Sequence, residues 1–176
     1  MSLKVLFIVP EIRIDGKPWH FPFWAGILAA IVEQKGGNVG ILDLNALRMK
    51  YGTSTISNEE IEKELRSDDW DIVGIGGLTS TYGRIKELVP LIRKFSPNSK
   101  IVSGGGWSTY NPDEIFQLVP DLDIIVIGEG EETFSEIYDV VENGSNDFDG
   151  VNGICINKTD QTHFTAPRAL IPDLNT

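Results

Sequence analysis

The sequence is poor in the residues that disulfide frameworks and thiolate metal centres need. Its 176 residues include one cysteine and two histidines. A single cysteine allows neither an internal disulfide nor a cluster of cysteine ligands. Long hydrophobic runs are also missing, because none reaches the roughly 18 residues of a membrane span. The apolar stretch at residues 5–9 is too short for a signal peptide and lacks its flanks. We therefore expect a cytoplasmic protein with no membrane partner.

Positive charge is scarce as well. Fifteen Lys and Arg residues face 26 Asp and Glu residues, which gives a formal net charge of −11. Phosphate groups would be repelled by such a surface, so a nucleic-acid partner is not expected. The hydrophobic fraction of 41% is typical of a globular protein, and the length suits one domain with its own core.

The sequence does contain five short apolar segments that alternate with helical patterns. These segments are residues 3–9, 38–43, 71–77, 100–103 and 123–127. Apolar residues at four-residue spacing between them indicate amphipathic helices. The alternation predicts an α/β fold with a doubly wound, five-stranded parallel sheet, flavodoxin-like, in the strand order 2-1-3-4-5.

Several local features refine this prediction. Ser57 and Glu60 form a capping-box pattern, and Asn111 before a proline is typical of a helix N-cap. Residues 44–56 look irregular, residues 79–82 are predicted as a loop, and Pro90 should kink the following helix or delay its start.

The C-terminal part of the chain differs from the rest. Residues 154–156 and 162–164 flank a polar turn and predict a β-hairpin. We therefore divide the chain into a Rossmann-like domain at 1–150, a hairpin extension at 151–166 and a linker at 167–176.

The sequence lacks the motifs by which proteins of this fold bind their usual ligands. The dinucleotide motif G-x-G-x-x-G would follow strand one, but the first glycine there is Gly16. There is no P-loop sequence. Strand three ends in Gly76 and Gly77 where a phospho-receiver has aspartate, and the flavodoxin Ser/Thr loop after strand one is absent.

Glycines, hydroxyls and acids follow strands three, four and five instead, at the sheet edge where ligands of open α/β folds bind. They are Thr79, Ser80, Thr81 and Tyr82; Gly104, Gly105, Gly106 and Trp107; and Gly128, Glu129, Gly130 and Glu131. Glycines allow a ligand or another backbone to approach closely. A tight turn at the triple glycine, and an acid-rich helix start at the last group, remain alternatives.

This ordered set of motifs resembles the cobalamin-binding domain of B12-dependent radical SAM proteins. Residues 22–28 are similar to the family's Pro-x-Gly-Leu helix start, with a different spacing, and Asp43 matches the acid that closes its second strand. The resemblance covers essentially the whole chain. It implies cobalamin as the cofactor, with S-adenosylmethionine and a 4Fe-4S cluster only in a radical SAM domain. The Cys-x-x-x-Cys-x-x-Cys motif of that domain is absent from this chain.

The resemblance also implies roles for the candidate residues. The hydroxyls at 79–81 would bind the nucleotide base or phosphate, the glycines at 104–106 would let the tail pass, and Glu129 or Glu131 would accept hydrogen bonds from corrin amides. Four aromatic residues have two alternative positions, either in contact with the corrin or packed in the core and the loops. They are Trp107, Trp19, Phe21 and Trp24.

A histidine ligand to cobalt is not expected. Family members that use one carry Asp-x-His-x-x-Gly after strand one, whereas here Asp15 and His20 have a different spacing. The resemblance therefore implies base-off binding without a histidine ligand. The alternatives for His20 are a contact with the lower corrin face from a long loop or a solvated position.

The functional hypothesis is a corrinoid-binding domain that is not catalytic alone and that serves a radical SAM methyltransferase, cyclase or Fe–S oxidoreductase. The radical SAM partner would lie on the same polypeptide or on a separate one. Two alternatives are a nucleotide-binding α/β transferase that uses the same glycines and a docking domain that has lost its ligand.

Overall fold

The computed structural model describes residues 2–12, 21–158 and 161–169. Within these ranges seven strands form one mixed sheet in the order β2-β1-β3-β4-β5-β6-β7. The strands are β1 Lys4–Val9, β2 Asn38–Asp43, β3 Ile72–Gly76, β4 Lys100–Gly104, β5 Ile124–Val126, β6 Ile154–Lys158 and β7 Gln161–Phe164. The first five are parallel in the predicted order, which confirms the fold class. The predicted hairpin, β6 and β7, extends the same sheet, with β6 antiparallel to β5.

Helices cover both faces of the sheet. They are α1 Phe23–Gln34, α2 Leu44–Tyr51, α3 Asn58–Leu65, α4 Tyr82–Phe95, α5 Pro112–Leu118 and α6 Glu131–Glu142. Side chains of α1 and α6 pack on one face, and those of α2 to α5 pack on the other. Because neighbouring strand residues point to opposite faces, Leu6 and Ile8 lie in the core beneath α2 to α5. Val5 and Phe7 lie in the core beneath α1 and α6.

The structure corrects the expectation that residues 44–56 are irregular, because α2 occupies Leu44–Tyr51. The Asp43 carboxylate caps this helix by accepting hydrogen bonds from the backbone N–H groups of Asn45 and Ala46, at 2.9 and 3.3 Å. Gly52 ends the helix in the left-handed conformation with φ of 66°. Both signals are present in the sequence.

Three further local predictions have mixed outcomes. Ser57 does cap α3, accepting from the Glu60 N–H at 3.3 Å. Asn111 precedes α5 but forms no side-chain cap, and its Nδ2 donates to Glu114 at 2.6 Å instead. Pro90 does not delay α4, which begins at Tyr82 directly after a 3-10 turn at Thr79–Thr81 where a loop was predicted.

The described C-terminal residues are held against α6. Arg168 donates to the Thr133 hydroxyl at 2.7 Å and pairs with Glu132 at 3.0 Å and with Glu136. Residues 170–176 of the predicted linker lie outside the described residues. Among the helices described here, none combines the length and the apolar character that crossing a membrane requires.

Candidate functional site

A cavity of about 560 Å³ opens at the carboxyl edge of the parallel strands. Its walls include Phe7, Trp24, Val126 and Phe134, so it lies on the face of the sheet that α1 and α6 cover. The segments that follow β1, β3, β4 and β5 surround its mouth. The volume is within the range of small-molecule and cofactor sites.

Glycines of β3 and β4 form part of the cavity floor, and the Phe7 ring covers one of them, Gly74, where an added Cβ would lie 2.6 Å from its Cδ1 atom. Gly74 and Gly76 alternate with residues that face the opposite core, so both glycines face the cavity. Gly76 is in register with Gly104 of β4. A Cβ on Gly104 would lie 3.7 Å from that of Val126, and one on Gly76 would lie 3.5 Å from the Trp24 ring. A flat group can therefore rest on the backbone at Gly104, beside the Trp24 ring.

Gly105 has a different task from the other two glycines of the triple. Its φ of +89° is in the left-handed region, and a Cβ there would lie 2.6 Å from the carbonyl oxygen of Gly77. Gly105 therefore permits the loops after β3 and β4 to touch, which agrees with the tight-turn alternative for the triple glycine, and it also lines the cavity. An added Cβ on Gly106 would meet no atom within 4 Å, and Gly106 lines the cavity.

The candidate residues after β3 do not all reach the cavity. Thr81 is 2% exposed, lines the cavity and donates its hydroxyl hydrogen to the carbonyl of Leu78 at 2.7 Å. Thr79 and Ser80 are exposed and are not among the lining residues. Tyr82 packs its ring on that of Trp107, with centroids 6.0 Å apart. Trp107 is buried in the core on the α2–α5 face, so the structure separates this pair from the cavity.

The four candidate residues between β5 and α6 and at the start of α6 all line the cavity: Gly128, Glu129, Gly130 and Glu131. Gly128 has φ of +83°, Gly130 is the N-cap of α6, and Glu131 is its first residue. The Oε2 atom of Glu131 is buried and has no hydrogen-bond partner in the described part of the chain. The segment is thus both an acidic helix start and a wall of the cavity.

Asn45 is a residue of the site that the sequence reasoning missed. It is 3% exposed and lines the cavity. Its Nδ2 donates to the carbonyl of Pro10 at 2.9 Å, and its Oδ1 accepts from the N–H of Ile12 at 2.9 Å. It therefore fixes the start of the β1–α1 loop. Its place two residues after a strand-ending aspartate is the only sequence signal for this role.

Glu11 secures the same loop from the other side. Its Oε1 accepts from the N–H of Ile56 at 2.9 Å, and its Oε2 pairs with the Arg84 Nε at 3.0 Å. Burial alone would raise the pKa of Glu11, but the Ile56 N–H and the Arg84 guanidinium outweigh burial, so the pKa lies below its ordinary value. The carboxylate is ionised in the folded protein near neutral pH.

Apolar side chains stand exposed at the mouth of the cavity: Ile12, Phe21, Phe23 and Leu78. The Phe21 and Phe23 rings meet edge to face, 5.8 Å apart. Phe21 lies over Gly26, where a Cβ would come within 2.8 Å of its Cε1 atom. Trp19 and His20, the other predicted ligand contacts from this loop, lie outside the described residues.

The charged side chains among the described lining residues are all acidic. They are Asp43, Glu129 and Glu131. The remaining described lining is mainly aliphatic, aromatic or glycine. This wall suits an apolar, flat ligand with hydrogen-bond donors better than one with several negative charges.

Comparison with known proteins agrees with this geometry. Residues 15–138 match the family model of the B12 binding domain. The chain belongs to the B12-binding domain family. It is 36% identical over 104 residues to the anaerobic magnesium-protoporphyrin IX monomethyl ester cyclase of Synechocystis sp., covering 59% of this chain and 21% of the cyclase. An uncharacterized methyltransferase of Pyrococcus horikoshii is 29% identical, covering 98% of this chain and 37% of that protein.

Solved structures share the fold of this B12-binding domain. One is the radical S-adenosylmethionine methyltransferase TsrM from Kitasatospora setae, with cobalamin and a 4Fe-4S cluster bound, at a TM-score of 0.78 and 20% identity. The match covers 100% of this chain and 31% of TsrM. The cobalamin-dependent radical enzyme OxsB, with aqua-cobalamin and S-adenosylmethionine bound, also gives 0.78, at 18% identity, covering 96% of this chain and 23% of OxsB. This chain therefore spans a minor part of the proteins it matches.

Proposed function

We propose that this domain binds cobalamin with the nucleotide tail in the cavity and serves a radical SAM enzyme. The observation that carries the proposal is the floor that includes Gly76 and Gly104 beneath an apolar cavity, in a chain of the B12-binding family. Cobalamin bound in the related structures of TsrM and OxsB supports it.

The residues present fit the tail of this cofactor. Its terminal base is a flat aromatic ring, and the cavity offers bare backbone on one side and the rings of Trp24 and Phe134 among its walls. Thr81 supplies a buried hydroxyl oxygen for a hydrogen bond to the tail. The exposed rim at Phe21 and Phe23 provides an apolar surface for the larger corrin ring.

The bound form would be base-off and free of a histidine ligand. This part of the proposal rests on the spacing of Asp15 and His20, which departs from the Asp-x-His-x-x-Gly pattern. Replacing His20 by alanine should therefore leave the visible spectrum of the bound corrinoid unchanged.

The chemistry that the cofactor supplies when bound is alkyl transfer or radical chemistry at cobalt. This chain's residues hold the cofactor and shield it from water. S-adenosylmethionine and the 4Fe-4S cluster belong to a radical SAM partner, on the same polypeptide or a separate one. The relatives include both methyltransferases and cyclases, which supports a reaction of one of these classes for the radical SAM enzyme.

A nucleotide-binding transferase is the second candidate that the sequence left open. The described lining contains acidic side chains and no Lys, Arg or His to hold a polyphosphate. Nucleoside di- and triphosphates would therefore meet like charge at the cavity wall. The geometry favours the corrinoid.

The test compares hydroxocobalamin with cobinamide, the corrinoid that lacks the nucleotide tail, and with ATP. After incubation and gel filtration, we expect cobalamin to elute with the protein and to show a base-off spectrum. Cobinamide should bind at least about tenfold more weakly, a difference of 1.4 kcal/mol, because it cannot fill the cavity. Equal retention of both corrinoids would contradict tail insertion, and retention of ATP alone would favour the transferase.

A further inference from the structure

The C-terminal residues contact the support of one cavity wall, a feature that the cobalamin proposal leaves unused. This wall, residues 128–131, contains two glycines. An added Cβ on Gly128 would meet no atom within 4 Å, and one on Gly130 would meet only Val126, at 4.0 Å. Neither glycine can anchor the wall through a side chain. The conformation of the wall therefore depends on hydrogen bonds from the residues around it.

The bend that precedes β6 supplies such hydrogen bonds. The N–H of Ile127, directly before the wall, donates to the carbonyl of Gly153 at 2.8 Å. The hydroxyl of Thr133, a fully buried residue, lies 3.3 Å from the carbonyl oxygen of Asn152 and 3.5 Å from that of Glu129 in the wall. Thr133 therefore joins the wall to this bend.

Arg168 holds the bend and Thr133 together. Its Nε donates to the Thr133 hydroxyl at 2.7 Å, and its Nη2 donates to the carbonyl of Asn152 at 3.3 Å. The guanidinium also pairs with Glu132 and Glu136 of α6, and the side chain is only 12% exposed. Because the guanidinium is a rigid fork of donors, it can serve all these acceptors at once. One side chain thus ties the C-terminal segment at residues 167–169 to the support of the wall.

We propose that Arg168 is a positioning residue for the cavity wall, so that docking of the segment 167–169 and binding of cobalamin strengthen each other. The inference rests on the proposed cobalamin binding and adds a coupling to it. With the segment docked, the wall is fixed before the cofactor arrives. Without it, binding must also order the wall, which lowers the affinity. Since coupling between two equilibria is reciprocal, bound cobalamin should also hold the segment in place.

The first measurement is the Kd of hydroxocobalamin, titrated against the full chain and followed through the visible spectrum. Arg168→Ala should bind about 5- to 150-fold more weakly than the wild type. Arg168→Lys should recover part of this loss, because an ammonium group serves some of the same acceptors but not all. Thr133→Val, which removes the hydroxyl and keeps the shape, should weaken binding too. The double variant Thr133→Val/Arg168→Ala should bind no more weakly than the weaker single variant, since both changes break one link.

Arg93→Ala is the matched control. Arg93 pairs with Asp123 at 2.7 Å and donates to the carbonyl of Ser99 at 2.9 Å, at the amino ends of the strands and away from the cavity. This variant should lower the free energy of unfolding in urea, yet keep the Kd of cobalamin within about twofold of the wild type. An equal loss of affinity in Arg93→Ala and Arg168→Ala would show that general destabilisation weakens binding, and the inference would be wrong.

Trypsin provides the reciprocal test, because it must draw Arg168 out of its contacts before it can cleave the bond to Ala169. Saturating hydroxocobalamin should slow this cleavage at least about fivefold, as intact-mass spectrometry would show. Cleavage after Arg66, on the α2–α5 face, should change by less than about twofold. Equal protection at both bonds, or none after Arg168, would contradict the coupling while cobalamin binding stands. If the wild type retains no corrinoid, the proposed function itself fails.

Discussion

Filling the glycine floor should separate ligand binding from folding. Gly104 ends β4 with its missing side chain directed into the cavity, and an added Cβ would meet only Val126, at 3.7 Å. That distance is an ordinary contact, and the residue has no positive φ. Gly104→Ala and Gly104→Val therefore place one and three carbon atoms on the floor without strain at the backbone.

These substitutions should change the stability of the fold and the affinity for cobalamin in opposite directions. Replacing a strand glycine by a β-branched residue is favourable on a propensity scale that spans about 1 kcal/mol, so the free energy of unfolding should stay constant or rise. Inserting carbon atoms where a ligand packs costs about 1–3 kcal/mol. Cobalamin should therefore bind about 5- to 150-fold more weakly, with Gly104→Val affected more than Gly104→Ala.

The assay measures Kd for cobalamin and cobinamide together with urea unfolding of each variant. The cobinamide Kd should change by less than about threefold, since cobinamide has no tail to displace. Gly150→Val, in an exposed turn where a Cβ meets no atom within 4 Å, is the control for the same exchange. A stable Gly104→Val variant that binds cobalamin as the wild type does would refute the placement of the tail on this floor.

Other perturbations should act elsewhere. Residue 105 requires a left-handed φ, and an added Cβ would meet the backbone of the β3–α4 loop. Gly105→Ala should therefore lower the free energy of unfolding by about 1–3 kcal/mol in urea titrations. Glu11→Gln should cost about 3 kcal/mol at pH 7. Because the pKa of Glu11 is lowered from 4.5, that difference should shrink as the pH falls below 4.5 in parallel titrations. Gly26→Ala should stabilise α1 by up to about 1 kcal/mol in thermal unfolding, yet weaken corrinoid binding by displacing the Phe21 ring. Burial raises the pKa of Cys155 to about 12, so iodoacetamide should label it only in urea, as mass spectrometry would show.

The sequence was sufficient for the fold because its strands carry strong signals. Four of the five parallel strands, β1, β3, β4 and β5, are short apolar runs buried on both faces, and helical patterns alternate with the strands, so the order of strands followed from general rules. The prediction failed where short-range polar chemistry decides the structure. α2 has little apolar periodicity, and its start depends on the Asp43 cap. At Asn111 the side chain found Glu114 instead of the backbone.

The site was predictable as an edge of the sheet but not residue by residue. Glycines after the strands pointed to the correct loops, whereas the alternation that turns Gly74 and Gly76 toward the cavity becomes meaningful only once the faces of β3 are known. Trp107 follows the triple glycine directly, but the turn carries it into the opposite core. Adjacency in sequence does not determine which face of the sheet a side chain reaches.

Several local features that weaken a folded protein occur together at this cavity. Glycines occupy the centre of β3 and the ends of β3 and β4, the Oε2 atom of Glu131 is buried without a partner in the described part of the chain, and aromatic rings stand exposed at the rim. Each is unfavourable for the free domain. Far from the cavity, Arg93 instead pairs with Asp123 at 2.7 Å, and the same carboxylate accepts from the Ile101 N–H at 2.7 Å. Unfavourable features that converge on one site are best explained by a ligand that satisfies them together. In the proposed mode, a flat, amide-bearing corrinoid would do so, because its base would cover the glycine floor, its ring would cover the aromatic rim and its amides would donate to the carboxylate.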